Sequence, residues 1–133
     1  MLKKLCLLSV LFNFLSCTAT SDCTSYKNGK FYMYAGDSKD KILIDRHDSI
    51  QIETNSRTGE VKKGRVTWVN PCEYKIIGIT DNVVFKDGVD SFLSVTPIHV
   101  VITNTAKDYY VFRVRLDSAD KHLEYRDTVR VLN

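Results

Sequence analysis

The ten residues from Ile44 to Glu53, IDRHDSIQIE, hold the densest group of chemically able side chains in the chain. If Asp48 and Ser49 form a two-residue hairpin turn, Arg46 pairs across from Gln51 and Ile44 from Glu53, so Arg46, Gln51 and Glu53 share one face. A three-residue turn instead pairs Arg46 with Ile50 and Ile44 with Ile52, gathers the isoleucines and sends Gln51 and Glu53 outward. The first register builds a polar cluster and the second a cleaner apolar face. An interior Arg46 demands a partner such as Glu53, because an unpaired buried charge is strongly destabilising. On the outward reading the cross-strand pair contributes under about 1 kcal/mol. Trp68, Tyr74, Tyr110 and Phe112 could line a ligand cavity beside such a cluster, although aromatics at period two also serve as plain core.

Other chemistry has less support. His47, His99 and His122 are far apart and lack ligand-spaced partners, and neither Cys-x-x-Cys nor His-x-His occurs, so no metal or other cofactor is expected. Asp, Ser and His are all present, but no Gly-x-Ser-x-Gly elbow accompanies them. The chain therefore reads as noncatalytic.

Two cysteine pairs lie in different settings. Lys3 and Lys4, an 11-residue apolar run from Leu5 to Leu15 and the small residue Ser16 have the three-part layout of a secretory signal. The run is short of the roughly 20 residues that span a bilayer. Phe14-Leu15-Ser16-Cys17 resembles the lipobox of bacterial lipoproteins, which implies that Cys17 carries a diacylglycerol after cleavage and holds the domain on a membrane surface. Cys6 leaves with the signal, so Cys23 and Cys72 remain in the exported domain and are expected to form one disulfide. Closing a loop of about 50 residues would stabilise on the order of 4 kcal/mol in the chain-entropy picture. One cysteine then ties the domain to the membrane and the next ties the entering chain to the domain wall.

Residues 17–133 make 117 residues, enough for one core. Without Lys3 and Lys4 the chain has 17 basic and 16 acidic side chains, which gives no electrostatic case for nucleic acid. From Lys30 onward the pattern is period two, with strands predicted near 30–36, 41–47, 50–55, 64–70, 72–80, 96–104, 108–117 and 122–132. In the seventh, Tyr110, Phe112, Val114 and Leu116 face inward while Arg113 and Arg115 face out. Turn residues such as Asp37-Ser38, Asp48-Ser49, Thr58-Gly59, Asn70-Pro71 and Asp117-Ser118 separate the runs. Segment 81–95 reads as a small hairpin or a flap. The expected fold is all-β, an antiparallel meander of about eight strands closed into a small lipocalin-like barrel, since closure removes exposed edges. The organisation is a signal over 1–16, a lipidated cysteine and short tether over 17–29, and one barrel over 30–133.

The order Cys23, Gly29-Lys30-Phe31, Ile44-x-Arg46-x-Asp48-Ser49-Ile50-Gln51-x-Glu53, Trp68 and Cys72-x-Tyr74 resembles a group of small lipoproteins of Bacteroidota. The likeness runs from the lipobox to about Ile76. Some members of that group carry a DNA topoisomerase label, yet a nearly neutral chain of this length has no room for the ATPase and cleavage modules of such an enzyme. Gly29-x-Phe31 also resembles the Gly-x-Trp opening of lipocalin-type barrels. Asp48-Ser49-Ile50, Asp117-Ser118-Ala119 and Asp127-Thr128-Val129 resemble the motif for protein O-glycosylation in Bacteroidota, making Ser49, Ser118 and Thr128 candidate acceptors, although Asp-Ser is also simply a good turn.

These readings lead to two expectations of function. One is a membrane-anchored envelope protein, exported to the periplasmic face of the outer membrane, that binds a small apolar or amphipathic ligand or a protein partner. The other is an accessory lipoprotein whose outer face docks onto an envelope complex. A pocket of several hundred Å³ favours the first. A filled interior with an exposed apolar patch favours the second.

Overall fold

The computed structural model describes residues 22–79, 96–118 and 121–133. Eight strands follow one another: β1 (Gly29–Ala35), β2 (Asp40–His47), β3 (Ile50–Asn55), β4 (Val61–Asn70), β5 (Glu73–Gly78), β6 (Ile98–Thr105), β7 (Tyr109–Ser118) and β8 (Lys121–Val131). Every neighbouring pair is antiparallel, and β8 returns to β1 to close a barrel in sequence order. The predicted meander and its strand boundaries therefore hold to within a few residues. Segment 81–95 lies outside the described residues, as do Cys17 and the expected signal over 1–16.

Alternation decides which side chains fill the interior. Phe31, Ile44, Val66, Tyr74, Val100, Ile102, Tyr110, Phe112 and Val129 are all buried and recur at even spacing within their strands. Each such burial stabilises by about 1.5 to 3 kcal/mol. Val114 packs against this core, Arg115 is exposed and Arg113 is half-buried, as the seventh strand's pattern requires. Gly64 also faces inward. A Cβ there would stand 2.7 Å from Ile76 Cγ1, so the glycine leaves the space that the Ile76 side chain of neighbouring β5 fills.

Because connections alternate between ends, each end has its own character. One end gathers the β2–β3 turn at Asp48 and Ser49, the β4–β5 turn at Pro71 and Cys72, and the β6–β7 connection at Ala106 to Asp108. Asn70 Oδ1 accepts the Cys72 N–H at 3.0 Å, which folds Asn-Pro-Cys into a tight reversal. The other end gathers the β1–β2 turn at Gly36 to Lys39 and the β3–β4 turn at Ser56 to Glu60. There Asn55 Oδ1 accepts the N–H groups of Arg57 and Thr58 at 2.9 and 3.1 Å.

The first end is sealed by the entering chain. Residues Thr24–Tyr26 form a single 3-10 turn whose first N–H is capped by Asp22 Oδ1 at 3.0 Å. Cys23 and Cys72 form the expected disulfide, with Cα atoms 5.1 Å apart, and Cys23 is fully buried. Tyr26 then enters the core, its ring 4.9 Å from that of Tyr110 and its hydroxyl donating to the carbonyls of Ala106 and Tyr109. Residues 23–28, which the sequence places in a tether, act as the plug of the barrel.

Candidate functional site

The β2–β3 turn sets the site. Asp48 and Ser49 adopt φ of 49° and 68°, both left-handed, which is the turn geometry that matches the twist of a two-residue hairpin. Arg46 consequently pairs with Gln51 and Ile44 with Glu53. Of the two registers open to the sequence, the structure has the one that turns Arg46, Gln51 and Glu53 inward.

Arg46 is 1 % exposed and lies just under the plug. Its Nε donates to Gln51 Oε1 at 2.8 Å, one terminal nitrogen donates to the Tyr26 carbonyl at 2.8 Å, and the other donates to the hydroxyls of Tyr74 and Tyr110 at 3.1 and 3.2 Å. The guanidinium carbon stands 4.7 Å from the Tyr74 ring centre, 5.5 Å from that of Phe31 and 5.9 Å from that of Trp68. Those three aromatic faces surround the cation at distances where ring quadrupoles attract it.

The partner expected for Arg46 is not its direct contact. No carboxylate among the described residues lies within ion-pair distance of it. Gln51 stands between the two charges, since its Nε2 donates onward to Glu53 Oε1 at 2.6 Å. The orientation of that amide follows from its neighbours, because a guanidinium only donates and a carboxylate only accepts. Neutral acceptors suffice because charge-assisted hydrogen bonds contribute about 1.5 to 3 kcal/mol each, and four of them offset much of the desolvation.

Titration follows the same geometry. Burial pulls the Arg46 pKa down, and the phenolic oxygens of Tyr74 and Tyr110 outweigh it, leaving the pKa raised. Burial pushes Tyr74 well above its ordinary 10, with Tyr110 and Glu53 adding to the rise and Arg46 opposing it. Near neutral pH Arg46 is therefore a fixed cation beside a neutral Tyr74 phenol.

Beyond this layer the described residues leave space within the barrel wall. A recess of about 300 Å³ lies at the end opposite the plug, with Met33, Ala35 and Ile42 on one side and Glu53, Asn55, Glu60 and Lys62 on the other. Lys62 Nζ is 3.7 Å from Glu60 Oε1. At the rim, Arg57 clamps Asp40 through two bonds of 2.7 and 2.8 Å, and Asn55 Nδ2 adds a third at 3.1 Å. These contacts, Arg57 first, lower the Asp40 pKa to about 2. Asp127 registers opposite the inward Phe112 and accepts the Tyr125 hydroxyl. Burial, then that hydrogen bond, raises the Tyr125 pKa to about 12.

No family model, curated protein or solved structure matches this chain.

The remaining candidates fall in several places. Trp68 and Tyr74 join the cluster, their ring centres 4.8 Å apart and their planes tilted by 46°, as wall around Arg46 and not as lining of the recess. Ser49 is exposed on its turn, Thr128 is half-buried within β8, and Ser118 ends β7. His47 and His99 are not together: the first meets Asp45 at 2.5 Å and the second Glu73 at 3.5 Å. Among the described residues no group of three His, Cys, Asp or Glu could hold a metal ion. Sequence reasoning did not single out Tyr26 or the recess residues Met33, Ile42, Asn55 and Lys62. Tyr26 could have been noticed as an aromatic three residues after Cys23; the recess had no comparable signal.

Proposed function

We propose that this protein is a lipid-anchored envelope protein whose barrel, without catalysing a reaction, binds a small amphipathic molecule in its open end. One observation carries the reading: among the described residues, the interior is plugged and filled at one end and recessed at the other. The recess of about 300 Å³ is at the small end of ligand sites, and it combines an apolar wall with a few polar groups, as such sites do. The anchor rests on the lipobox-like Phe14-Leu15-Ser16-Cys17, and the disulfide is in keeping with an oxidising compartment.

Native mass spectrometry of the protein extracted from its own envelope tests this in one spectrum. The expected result is a diacylglyceryl mass on Cys17 and a small molecule that departs on mild activation. An unlipidated chain with no retained molecule would count against both parts. Replacement of Cys17 by Ser separates them, since it should abolish mature membrane attachment and leave the recess unchanged.

A second reading has a specific observation of its own. Tyr34, Tyr109 and Leu132 are large, exposed side chains near the β1–β8 closure, where Tyr32 stacks edge-on with Tyr34 at 6.0 Å. Such a strip suits docking of an accessory lipoprotein onto an envelope complex. Loss of a co-purifying complex from a Tyr34→Ser, Tyr109→Ser double variant, with no retained small molecule in the parent, would favour docking over ligand binding.

A further inference from the structure

We propose that the recess selects a cation carrying a short apolar tail, a primary alkylammonium being the simplest case, with Glu53 receiving the charge. This deepens the ligand-binding reading and rests on it. Glu53 reaches the recess half-buried. Its Oε1 is held by Gln51 at 2.6 Å, and its Oε2 has no hydrogen-bond partner among the described residues. Among the described residues, Arg46 and Lys62 are the cations on its own face or directly across from it, and both are directed elsewhere. Arg46 is sealed beneath, its bonds going to Gln51, Tyr26, Tyr74 and Tyr110. Lys62 registers directly across from Glu53, yet its ammonium stands against Glu60 at 3.7 Å.

Ligand chemistry follows from what each class of molecule would meet. An anion entering the recess meets two carboxylates, Glu53 and Glu60, against the single ammonium of Lys62, which already stands beside Glu60. A neutral alkyl chain strips water from Glu53 and returns no hydrogen bond, which is costly. An alkylammonium gives Glu53 a charge-assisted partner and lays its methylenes along Met33, Ala35 and Ile42. The volume of about 300 Å³ suits a chain of a few carbons.

The two methionines of the chain are Met1 and Met33, and removal of the signal leaves Met33 as a lone methyl reporter inside the recess. Full mature protein with 13C-methyl methionine, in nanodiscs of zwitterionic lipid, is titrated with hexylammonium, hexanoate and hexanol against empty-disc blanks. Hexylammonium should move the Met33 methyl signal saturably, with at least tenfold tighter binding than hexanoate or hexanol. In Glu53→Gln that preference should fall at least tenfold. Equal binding of all three probes, or an unaltered preference in Glu53→Gln, overturns the charge selection and leaves ligand binding standing. Silence of the Met33 methyl towards all three overturns both. The comparison of probes on the parent protein decides the matter even if Glu53→Gln does not fold.

Discussion

Arg46 and Glu53 face the same interior without touching, and the side chain of Gln51 spans the gap between them with bonds of 2.8 and 2.6 Å. The relation is a bridged charge pair with very unequal ends. Arg46 is enclosed, whereas Glu53 opens to the recess.

That inequality predicts unequal mutants. Arg46→Ala should cost about 3 to 5 kcal/mol, since it leaves a cavity and strips the Gln51 oxygen, the Tyr26 carbonyl and two phenols of their donor. Glu53→Gln keeps an acceptor for Gln51 and should cost under about 1 kcal/mol. The double variant should be additive to within about 1 kcal/mol, unlike a direct buried ion pair, where removing both charges recovers much of the loss. Urea unfolding of the three variants checks this. A Glu53→Gln loss as large as that of Arg46→Ala would contradict it.

Replacing Cys72 by Ala should destabilise by about 4 kcal/mol under oxidising conditions and much less under reducing ones. The change should also loosen the plug. Trp68, the chain's one tryptophan, packs against the same core and has Lys27 of the plug 5.3 Å from its ring. A fluorescence shift at Trp68 before global unfolding is the expected sign, and equal losses in both redox conditions would assign Cys72 a packing role instead.

Ser49 holds φ of 68° in the β2–β3 turn, and its carbonyl accepts the Val66 N–H at 2.7 Å. Glycine removes the side-chain clash of that conformation and retains the backbone bond. Ser49→Gly should therefore stabilise by about 1 kcal/mol in thermal or denaturant unfolding. Destabilisation would indicate that the serine side chain has a role in the turn.

Acid should act through Asp40. Its folded pKa of about 2 lies below the ordinary 3.8, so its contribution is complete above about pH 4 and is lost as pH falls towards 2. Asp40→Asn should flatten the stability profile in that window and leave the slope above pH 5 unaltered. Urea midpoints measured from pH 2 to 6 provide the test, and a parallel pair of profiles would remove Asp40 from the acid response.

Much of the fold was legible because a barrel strand has only two faces. Tyr110, Phe112 and Val114 alternate with charged or half-exposed neighbours, and such alternation names a strand without further help. The site was legible only to the point where the turn at Asp48 and Ser49 became decisive. Asp-Ser does not advertise two left-handed residues as Asn-Gly does, so the sequence left both registers open. Tyr26 escaped because its role depends on where the disulfide carries it. The recess escaped because Met33, Ile42, Glu53 and Lys62 become neighbours through the stagger of four strands, and no local spacing records that stagger.

The plug has a consequence for orientation. Cys23 lies in it, six residues after Cys17, and six extended residues reach no further than about 20 Å. On the proposed attachment at Cys17, the plugged end is the end held close to the bilayer, and the recess lies on the side remote from it. A molecule entering there would then come from the water of the compartment, and the vessel would stand with its floor on the membrane and its mouth towards whatever passes in solution.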